Sequence, residues 1–150
     1  MSARRLPPGV LPSSLVDAVA RVAGVRAVAL IGSRARGDAH AGSDWDFAFV
    51  VEERGPSASV VADALRDVLS THLHTDRVDV VDLARAGAVM RFQAARDGLC
   101  VFEVGSHDWD DFCVAAAQFW CDAGPIIERA QRAFLAGFPA PGGAAAEVNR

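Results

Sequence analysis

Four short apolar segments separated by helix-like stretches constrain the fold of this chain most strongly. Each is bounded by turn residues, and they are enriched in the β-branched or aromatic residues that favour strands. The segments are VRAVALI (25–31), DWDFAFVV (44–51), DRVDVVDL (76–83) and LCVFEV (99–104). We therefore predict four strands.

The stretches between and after these strands have the residue pattern of amphipathic helices. Apolar residues recur near helical spacing over 11–24, 55–73 and 84–98, and Gly24 and Gly98 are expected helix ends. From about residue 108 the chain again looks helical, and Gly124-Pro125 predicts a break between two C-terminal helices. This order of elements predicts an α+β fold, with a short mixed β-sheet, helical cover and C-terminal helices.

The length of 150 residues fits one domain, which we expect over residues 13–138. Residues 1–12 are basic and rich in Pro, and 139–150 are small and polar, so both ends are predicted to be flexible. No apolar run approaches the roughly 20 residues of a membrane-spanning helix, and no secretion signal is visible at residues 1–12. We expect a cytoplasmic protein with no membrane contact.

Composition removes several classes of function. The chain has no Lys, because all 15 of its basic residues are Arg, so neither a Schiff-base lysine nor a Walker-type phosphate loop is available. A net charge of −4 argues against broad adhesion to nucleic acid. The three cysteines show no C-x-x-C spacing, which argues against a zinc knuckle or disulfide framework.

The second predicted strand opens with Asp44-Trp45-Asp46. Side chains alternate along a strand, so the two carboxylates share one face and Trp45 points to the other. Neighbouring unpaired carboxylates repel each other, and on an otherwise apolar strand they indicate a cation, for which hard oxygen ligands favour Mg²⁺. The alternative is that Asp44 is a turn residue and Asp46 a solvated edge residue.

Gly32 and Ser33 follow the first predicted strand directly, and Arg34 and Arg36 come next. Glycine permits close approach by a phosphate, and serine adds a hydroxyl donor. The two arginines could contact a triphosphate, with solvent as the alternative. By itself a Gly-Ser pair at a strand end is also an ordinary turn.

Gly32-Ser33, ten intervening residues and Asp44-Trp45-Asp46 together resemble the signature of the DNA polymerase β-like nucleotidyltransferases. The longer run GSRARGDAHAGSDWDFAFVV is similar to the minimal nucleotidyltransferase branch, whose members are antitoxin partners of small helical HEPN-domain toxins. The resemblance covers roughly residues 16–103 and extends only loosely over the C-terminal helices. It implies the nucleotidyltransferase fold of the polymerase β-like superfamily.

The resemblance also implies a third carboxylate on a later, adjacent strand. Within DRVDVVDL, Asp79 lies among the apolar residues, Asp82 lies nearer the end of the segment, and Asp76 precedes the apolar residues. The family pattern places the acid between apolar residues, which fits Asp79 best. A cap or turn suits Asp76 and, less well, Asp82.

By this resemblance, Asp44, Asp46 and Asp79 would be catalytic and would ligate two Mg²⁺ ions. Gly32 and Ser33 would hold the β- and γ-phosphates of ATP, with Arg34 and Arg36 as further nucleotide contacts.

The resemblance implies that the protein is an antitoxin. It would transfer AMP from ATP to a tyrosine of a cognate HEPN-domain ribonuclease toxin and thereby neutralise the toxin. A hetero-oligomer with the toxin is expected, without direct nucleic-acid binding. Because this chain has no Tyr, the tyrosine must lie on another molecule. Two alternatives stay open: the same chemistry on a small hydroxylated molecule such as an aminoglycoside, and an antitoxin that only binds its partner.

Overall fold

The computed structural model describes residues 3–137 and shows five helices and five strands in that range. The strands are β1 (Arg4–Arg5), β2 (Val25–Ile31), β3 (Trp45–Val51), β4 (Val78–Asp82) and β5 (Leu99–Glu103). The helices are α1 (Ser13–Ala20), α2 (Gly32–Arg36), α3 (Ala58–Leu73), α4 (Ala88–Asp97) and α5 (Asp108–Ala136). The predicted α+β class and mixed sheet are confirmed.

The five strands form one sheet in the order β1-β5-β2-β3-β4. β2 is antiparallel to both of its neighbours, whereas β3 and β4 are parallel, as are β1 and β5. The pairing of β2 with β3 sets Ile31 opposite Asp46. The chain therefore leaves β2 beside the start of β3, which brings Gly32 next to the Asp-x-Asp segment.

Alternate side chains of β3 point to opposite faces of the sheet and pack into two separate cores. Phe47 and Phe49 are fully buried in the core that also contains Leu15 of α1 and Leu65 of α3. Ala48 lies in the other core, whose members come mainly from β2, α4 and α5. Burying each phenylalanine contributes about 1.5–3 kcal/mol, so the alternation fixes which face Asp46 must occupy. That face is the one covered by α4 and α5.

The N-terminal residues differ from the flexible segment predicted over 1–12. Within the described part, Arg4–Arg5 pair with Leu99 and Cys100, and the Leu6 N–H donates to the Cys100 carbonyl at 3.0 Å. Arg5 also forms ion pairs with Glu103 and with Asp110, the latter at 3.0 Å. These partners lie about a hundred residues away along the chain. Local sequence therefore carried no signal for this strand.

The helix break predicted at Gly124-Pro125 is wrong, because α5 continues from Asp108 to Ala136 with Pro125 inside it. Proline has no N–H to donate to the carbonyl one turn earlier, and that carbonyl belongs to Cys121, an exposed residue that water can reach. Gly124 has a packing role instead: a Cβ there would lie 2.8 Å from Cε2 of Trp120. The fold thus has one C-terminal helix where two were predicted.

No helix among residues 3–137 combines the length and the apolarity needed to cross a membrane. Residues 138–150, which include the predicted flexible tail, lie outside the described part of the chain.

Candidate active site

Two acidic side chains lie side by side at the start of the parallel pair β3 and β4. Asp46 and Asp79 are direct partners in the strand register. Both point to the face covered by α4, since Phe47 and Val80 beside them belong to the opposite core. Parallel pairing thus places together two carboxylates that are separated by 33 positions in sequence.

Gly32 closes one side of this carboxylate pair. Its φ angle is +71°, a left-handed conformation that L side chains rarely adopt. A Cβ at this position would overlap Oδ2 of Asp46 and would lie 3.1 Å from its Cγ. Glycine is therefore required twice, by the backbone conformation at the first residue of α2 and by the closeness of the Asp46 carboxylate.

Asp46, Asp79 and Gly32 line a cleft of about 420 Å³ between the sheet and α4. The remaining lining comes from Arg36, from Ile31, Val80 and Val81 of the sheet, and from Met90, Gln93, Ala94 and Asp97 of α4. This volume lies in the range of small-molecule and cofactor sites. Its lining combines apolar side chains with charged residues from the sheet, α2 and α4.

The electrostatics of the cleft centre on Asp46. Burial, followed by the negative charges of Asp79 and Asp44, raises the pKa of Asp46 above its ordinary value. The positive charges of Arg36 and Arg34 oppose that rise without cancelling it. A partly buried carboxylate whose neighbours repel its charge is stabilised by any cation that reaches it.

Asp44, the other acid of the Asp-x-Asp segment, is not part of the cleft lining. Its carboxylate is about half exposed and pairs with the Arg77 guanidinium, with 2.7 Å between Nε and Oδ1. The structure therefore brings Asp46 and Asp79 together, whereas Asp44 lies beside them and pairs with Arg77.

The two arginines predicted to contact a nucleotide have different environments. Arg36 lines the cleft, and its Nε lies 3.2 Å from Oδ2 of Asp38. Arg34 is turned towards the chain itself: it donates to the carbonyls of Ser43 and Asp44 and stacks over the ring of Trp45. Only Arg36 is directed at the cleft.

Ser33 follows Gly32 as the second residue of α2 and is half-buried, but it is not part of the cleft lining. Instead of the predicted turn, Gly32–Arg36 forms a one-turn helix that ends at Gly37, whose φ is +84°. The first N–H groups of a helix have no partner within the helix itself.

The other acids of the third strand have different placements. Asp82 accepts a hydrogen bond from the Ala84 N–H at 2.9 Å and lies 3.9 Å from the Arg85 guanidinium, so it stabilises the turn after β4. Asp76 precedes β4, as predicted. Of the three candidates, only Asp79 lines the cleft.

The chemistry of the acids fits a divalent cation in part. Asp46 and Asp79 provide hard carboxylate oxygens of the kind that Mg²⁺ prefers, and burial of Asp46 favours a positive charge beside it. Among residues 3–137, however, no three His, Cys, Asp or Glu side chains converge closely enough to hold a metal ion. The third ligand predicted, Asp44, is engaged by Arg77.

Sequence reasoning missed the contribution of α4 to the cleft. Met90, Gln93, Ala94 and Asp97 are spaced by three and four residues, which places them on one stripe of the helix. Hydrogen bonds from the Arg96 guanidinium lower the pKa of Asp97 and keep it ionised. The sequence did offer one signal for this: the polar residues Gln93 and Asp97 lie on the same stripe of the helix as Ala94, which is buried.

Comparison with known proteins assigns this five-stranded mixed sheet with its paired acids to the nucleotidyltransferases. The model of the family "Polymerase beta, Nucleotidyltransferase" matches residues 14–106. The match covers more than half of the chain, which therefore belongs to this family.

Individual relatives are of the minimal nucleotidyltransferase kind. The chain is 30% identical over 97 residues to the protein adenylyltransferase MntA of Aphanizomenon flos-aquae (strain 2012/KM1/D3). That match spans 59% of this chain and 63% of the relative, so it covers less than two thirds of the relative's length.

Two solved structures share the fold. One is a toxin–antitoxin crystal structure with AMP-PNP, at a TM-score of 0.61 and 23% identity over 81% of this chain and 99% of that one. The other contains a tri-AMPylated Shewanella oneidensis HEPN toxin in complex with an MNT antitoxin, at a TM-score of 0.51 and 20% identity over 79% and 92%. The predicted polymerase β-like fold is confirmed.

Proposed function

We propose that this chain is a magnesium-dependent antitoxin that transfers AMP from ATP to a tyrosine of a HEPN-domain toxin and thereby neutralises it. The observation that carries the proposal is the in-register pair of Asp46 and Asp79, which lines the cleft beside Gly32. Paired carboxylates at a cleft of this size suit in-line transfer to or from a phosphate. Membership of the nucleotidyltransferase family supports the same chemistry.

In the proposed reaction, the tyrosine hydroxyl oxygen forms a bond to the α-phosphorus of ATP. The bond from that phosphorus to the bridging oxygen breaks, pyrophosphate leaves, and the hydroxyl proton is lost to a basic group or to water. Little covalent chemistry is left to the protein, which acts by positioning and by stabilising charge.

Each residue of the site has a role in this scheme. Asp46 and Asp79, with Asp44, would hold the two magnesium ions, which neutralise the triphosphate when bound. Gly32 leaves room for the Asp46 carboxylate, and Ser33 beside it offers a hydroxyl to the β- and γ-phosphates. Arg36 provides a positive charge within the cleft. Arg34 supports the segment that carries Asp44 instead of contacting the nucleotide.

The acceptor is proposed from the names of similar proteins. The curated relative is called a protein adenylyltransferase, and a structure with the same fold contains an AMPylated HEPN toxin with an MNT antitoxin. Since the chain contains no Tyr, a tyrosine acceptor has to lie on a partner. We propose a complex with that toxin in the cytoplasm, and expect a neighbouring reading frame to encode it.

Intact-mass spectrometry of the partner tests the proposal. The partner is incubated with ATP, Mg²⁺ and the wild-type protein, and its mass should rise by one or more AMP units. Asp46→Asn should abolish the increment, because it removes a charged ligand from the cleft. Asp63→Asn is the matched control, since Asp63 is an exposed acid on α3 whose partner is Arg66.

The other outcomes favour the alternatives. Neutralisation of the toxin with no change in its mass would contradict AMP transfer and favour an antitoxin that only binds. Consumption of ATP with an aminoglycoside, but not with the partner, would move the acceptor to a small molecule.

A further inference from the structure

The segment that carries Asp44, residues 42–44, is held from two sides by arginines. Arg34 donates from Nη2 to the Ser43 carbonyl at 2.7 Å and from Nε to the Asp44 carbonyl at 3.2 Å. Arg77 donates from Nη2 to the Gly42 carbonyl and from Nε to Oδ1 of Asp44 at 2.7 Å. The difference between them matters: Arg34 contacts only backbone carbonyls of the segment, whereas Arg77 also contacts the carboxylate.

Both arginines are fixed in place by further contacts. The Arg34 guanidinium stacks 4.0 Å from the centre of the Trp45 ring. Arg77 immediately precedes β4, where its N–H donates to Thr75 Oγ1 at 3.1 Å and its carbonyl accepts from the Trp45 N–H at 2.9 Å. The guanidinium of Arg77 is therefore placed by the pairing of β3 with β4, which also places Asp46 beside Asp79.

The Arg77 contact accounts for the incomplete convergence of the acids. A cation ligated by Asp44 needs a carboxylate oxygen, and Oδ1 already accepts the Nε–H of a positively charged group. A guanidinium and a divalent cation repel each other when both approach one carboxylate. Of the three acids predicted as cation ligands, Asp46 and Asp79 thus line the cleft, and Asp44 is paired with Arg77 outside the lining.

We propose that Arg77 is a positioning residue that competes with the divalent cation for Asp44. With no cation, it holds the Asp44 carboxylate and limits repulsion among the three acids. When a cation binds, Asp44 leaves Arg77, while Arg34 and the Gly42 contact keep the segment in place. This inference rests on the proposed function, because it assumes that Asp44 becomes a cation ligand.

The expected effect is modest because the pair is exposed. Arg77 and Asp44 are 53% and 52% exposed at their side chains, so solvent screens their attraction. Exposed ion pairs change an equilibrium by up to about fivefold, and removing the competing charge should tighten cation binding by about two- to fivefold. Arg77→Gln suits the test, since it keeps a polar N–H donor at about the position of Nε but carries no charge.

Titration of the full chain with Mn²⁺ in the absence of ATP measures this affinity directly, with free Mn²⁺ followed by electron paramagnetic resonance. Arg77→Gln should bind about two- to fivefold more tightly than wild type. Arg66→Gln is the matched control and should leave the affinity unchanged, because it removes an exposed Arg–Asp pair on α3. Equal or weaker binding by Arg77→Gln would overturn the inference while leaving the proposed function standing.

A second variant keeps the test decisive if Arg77→Gln does not fold. Arg77→Lys retains the charge but has no planar fork to hold the Gly42 carbonyl and Asp44 together, so its affinity should lie between those of wild type and Arg77→Gln. Weaker binding than wild type by Arg77→Lys would overturn the inference. Absence of Mn²⁺ binding by every variant, with or without ATP, would overturn both the inference and the proposed metal site.

Discussion

Gly32→Ala should abolish most activity while lowering the unfolding free energy by about 1–2 kcal/mol. The substitution adds one methyl group at a residue whose φ is +71° and whose nearest neighbour is the Asp46 carboxylate. The new Cβ would overlap Oδ2 and would lie 3.1 Å from Cγ of Asp46. Because the obstructing group is the end of a side chain, we expect it to rotate away instead of unfolding the strand.

Two separate magnitudes follow from this geometry. A left-handed conformation costs a non-glycine residue about 1–2 kcal/mol, which is the expected loss of unfolding free energy. Ordinary carbon–carbon contacts lie at about 3.5–4.0 Å, so the Asp46 carboxylate has to move by about 0.5–1 Å. A displacement of about 1 Å at a reacting centre can lower the rate by about 100-fold, or about 2.7 kcal/mol of transition-state stabilisation.

Gly37→Ala is the matched control for backbone strain. Gly37 has a similar φ of +84°, and a Cβ there would meet nothing within 4 Å. The control should lose the same 1–2 kcal/mol of unfolding free energy, measured by chemical denaturation, with nearly full activity. Only the clash with Asp46 distinguishes the two variants.

The assay is the initial rate of AMP transfer to the partner at saturating ATP, compared for wild type and the two variants. We expect a rate about 100-fold below wild type for Gly32→Ala and within about threefold of wild type for Gly37→Ala. Equal rates for the two variants would refute the reasoning, because they would show that the position of the Asp46 carboxylate does not limit the reaction.

Three further predictions follow from burial and charge. Burial and neighbouring carboxylates raise the pKa of Asp46, so the stability that its protonated form contributes is lost as pH rises through that pKa. Asp46→Asn should therefore melt above wild type at neutral pH without divalent cations, and the gap should close below about pH 4. Trp109 is fully buried, so Trp109→Ala should lower the unfolding free energy, measured by denaturant titration, by about 3–5 kcal/mol. A loss of less than about 1 kcal/mol would contradict the place of Trp109 in the core. Burial raises the pKa of Cys100 to about 11 and that of Cys113 to about 12. A thiol reagent should therefore react only with the exposed Cys121 in the native protein, and with all three cysteines after unfolding. Fast reaction of all three in the native protein would contradict this.

Residue periodicity predicted the elements that bury a face, because burial itself imposes the period. β2 occupies the predicted residues 25–31, and α4 ends beside the predicted Gly98. The same periodicity predicted that Asp46 and Phe47 point to opposite sides of β3. In the structure Phe47 is fully buried in one core and Asp46 lines the cleft on the other face.

The elements that were missed depend on contacts between distant parts of the chain. β1 is two residues long and is held by Arg5 against Glu103 and Asp110, which no local pattern can reveal. The continuity of α5 through Pro125 was missed because Gly-Pro normally ends a helix.

At the candidate site, residue types could be predicted but their partners could not. The proximity of Asp79 to Asp46 required the register of β3 and β4, which the family pattern anticipated. The pairing of Asp44 with Arg77 and the contacts of Arg34 with the backbone depend on side-chain packing in three dimensions. Sequence reasoning therefore named the acids, but it did not predict the contacts of Arg34 with backbone carbonyls or the pairing of Arg77 with Asp44.

The most direct test of AMP transfer follows the fate of the phosphates of ATP. The partner is incubated with Mg²⁺ and the full chain, once with ATP labelled at the α-phosphate and once with ATP labelled at the γ-phosphate. We predict that the partner acquires label only from the α-phosphate, and that Asp46→Asn and Asp79→Asn both abolish it. Label arriving from the γ-phosphate, or α-label undiminished in both variants, would contradict nucleotidyl transfer at the carboxylate pair.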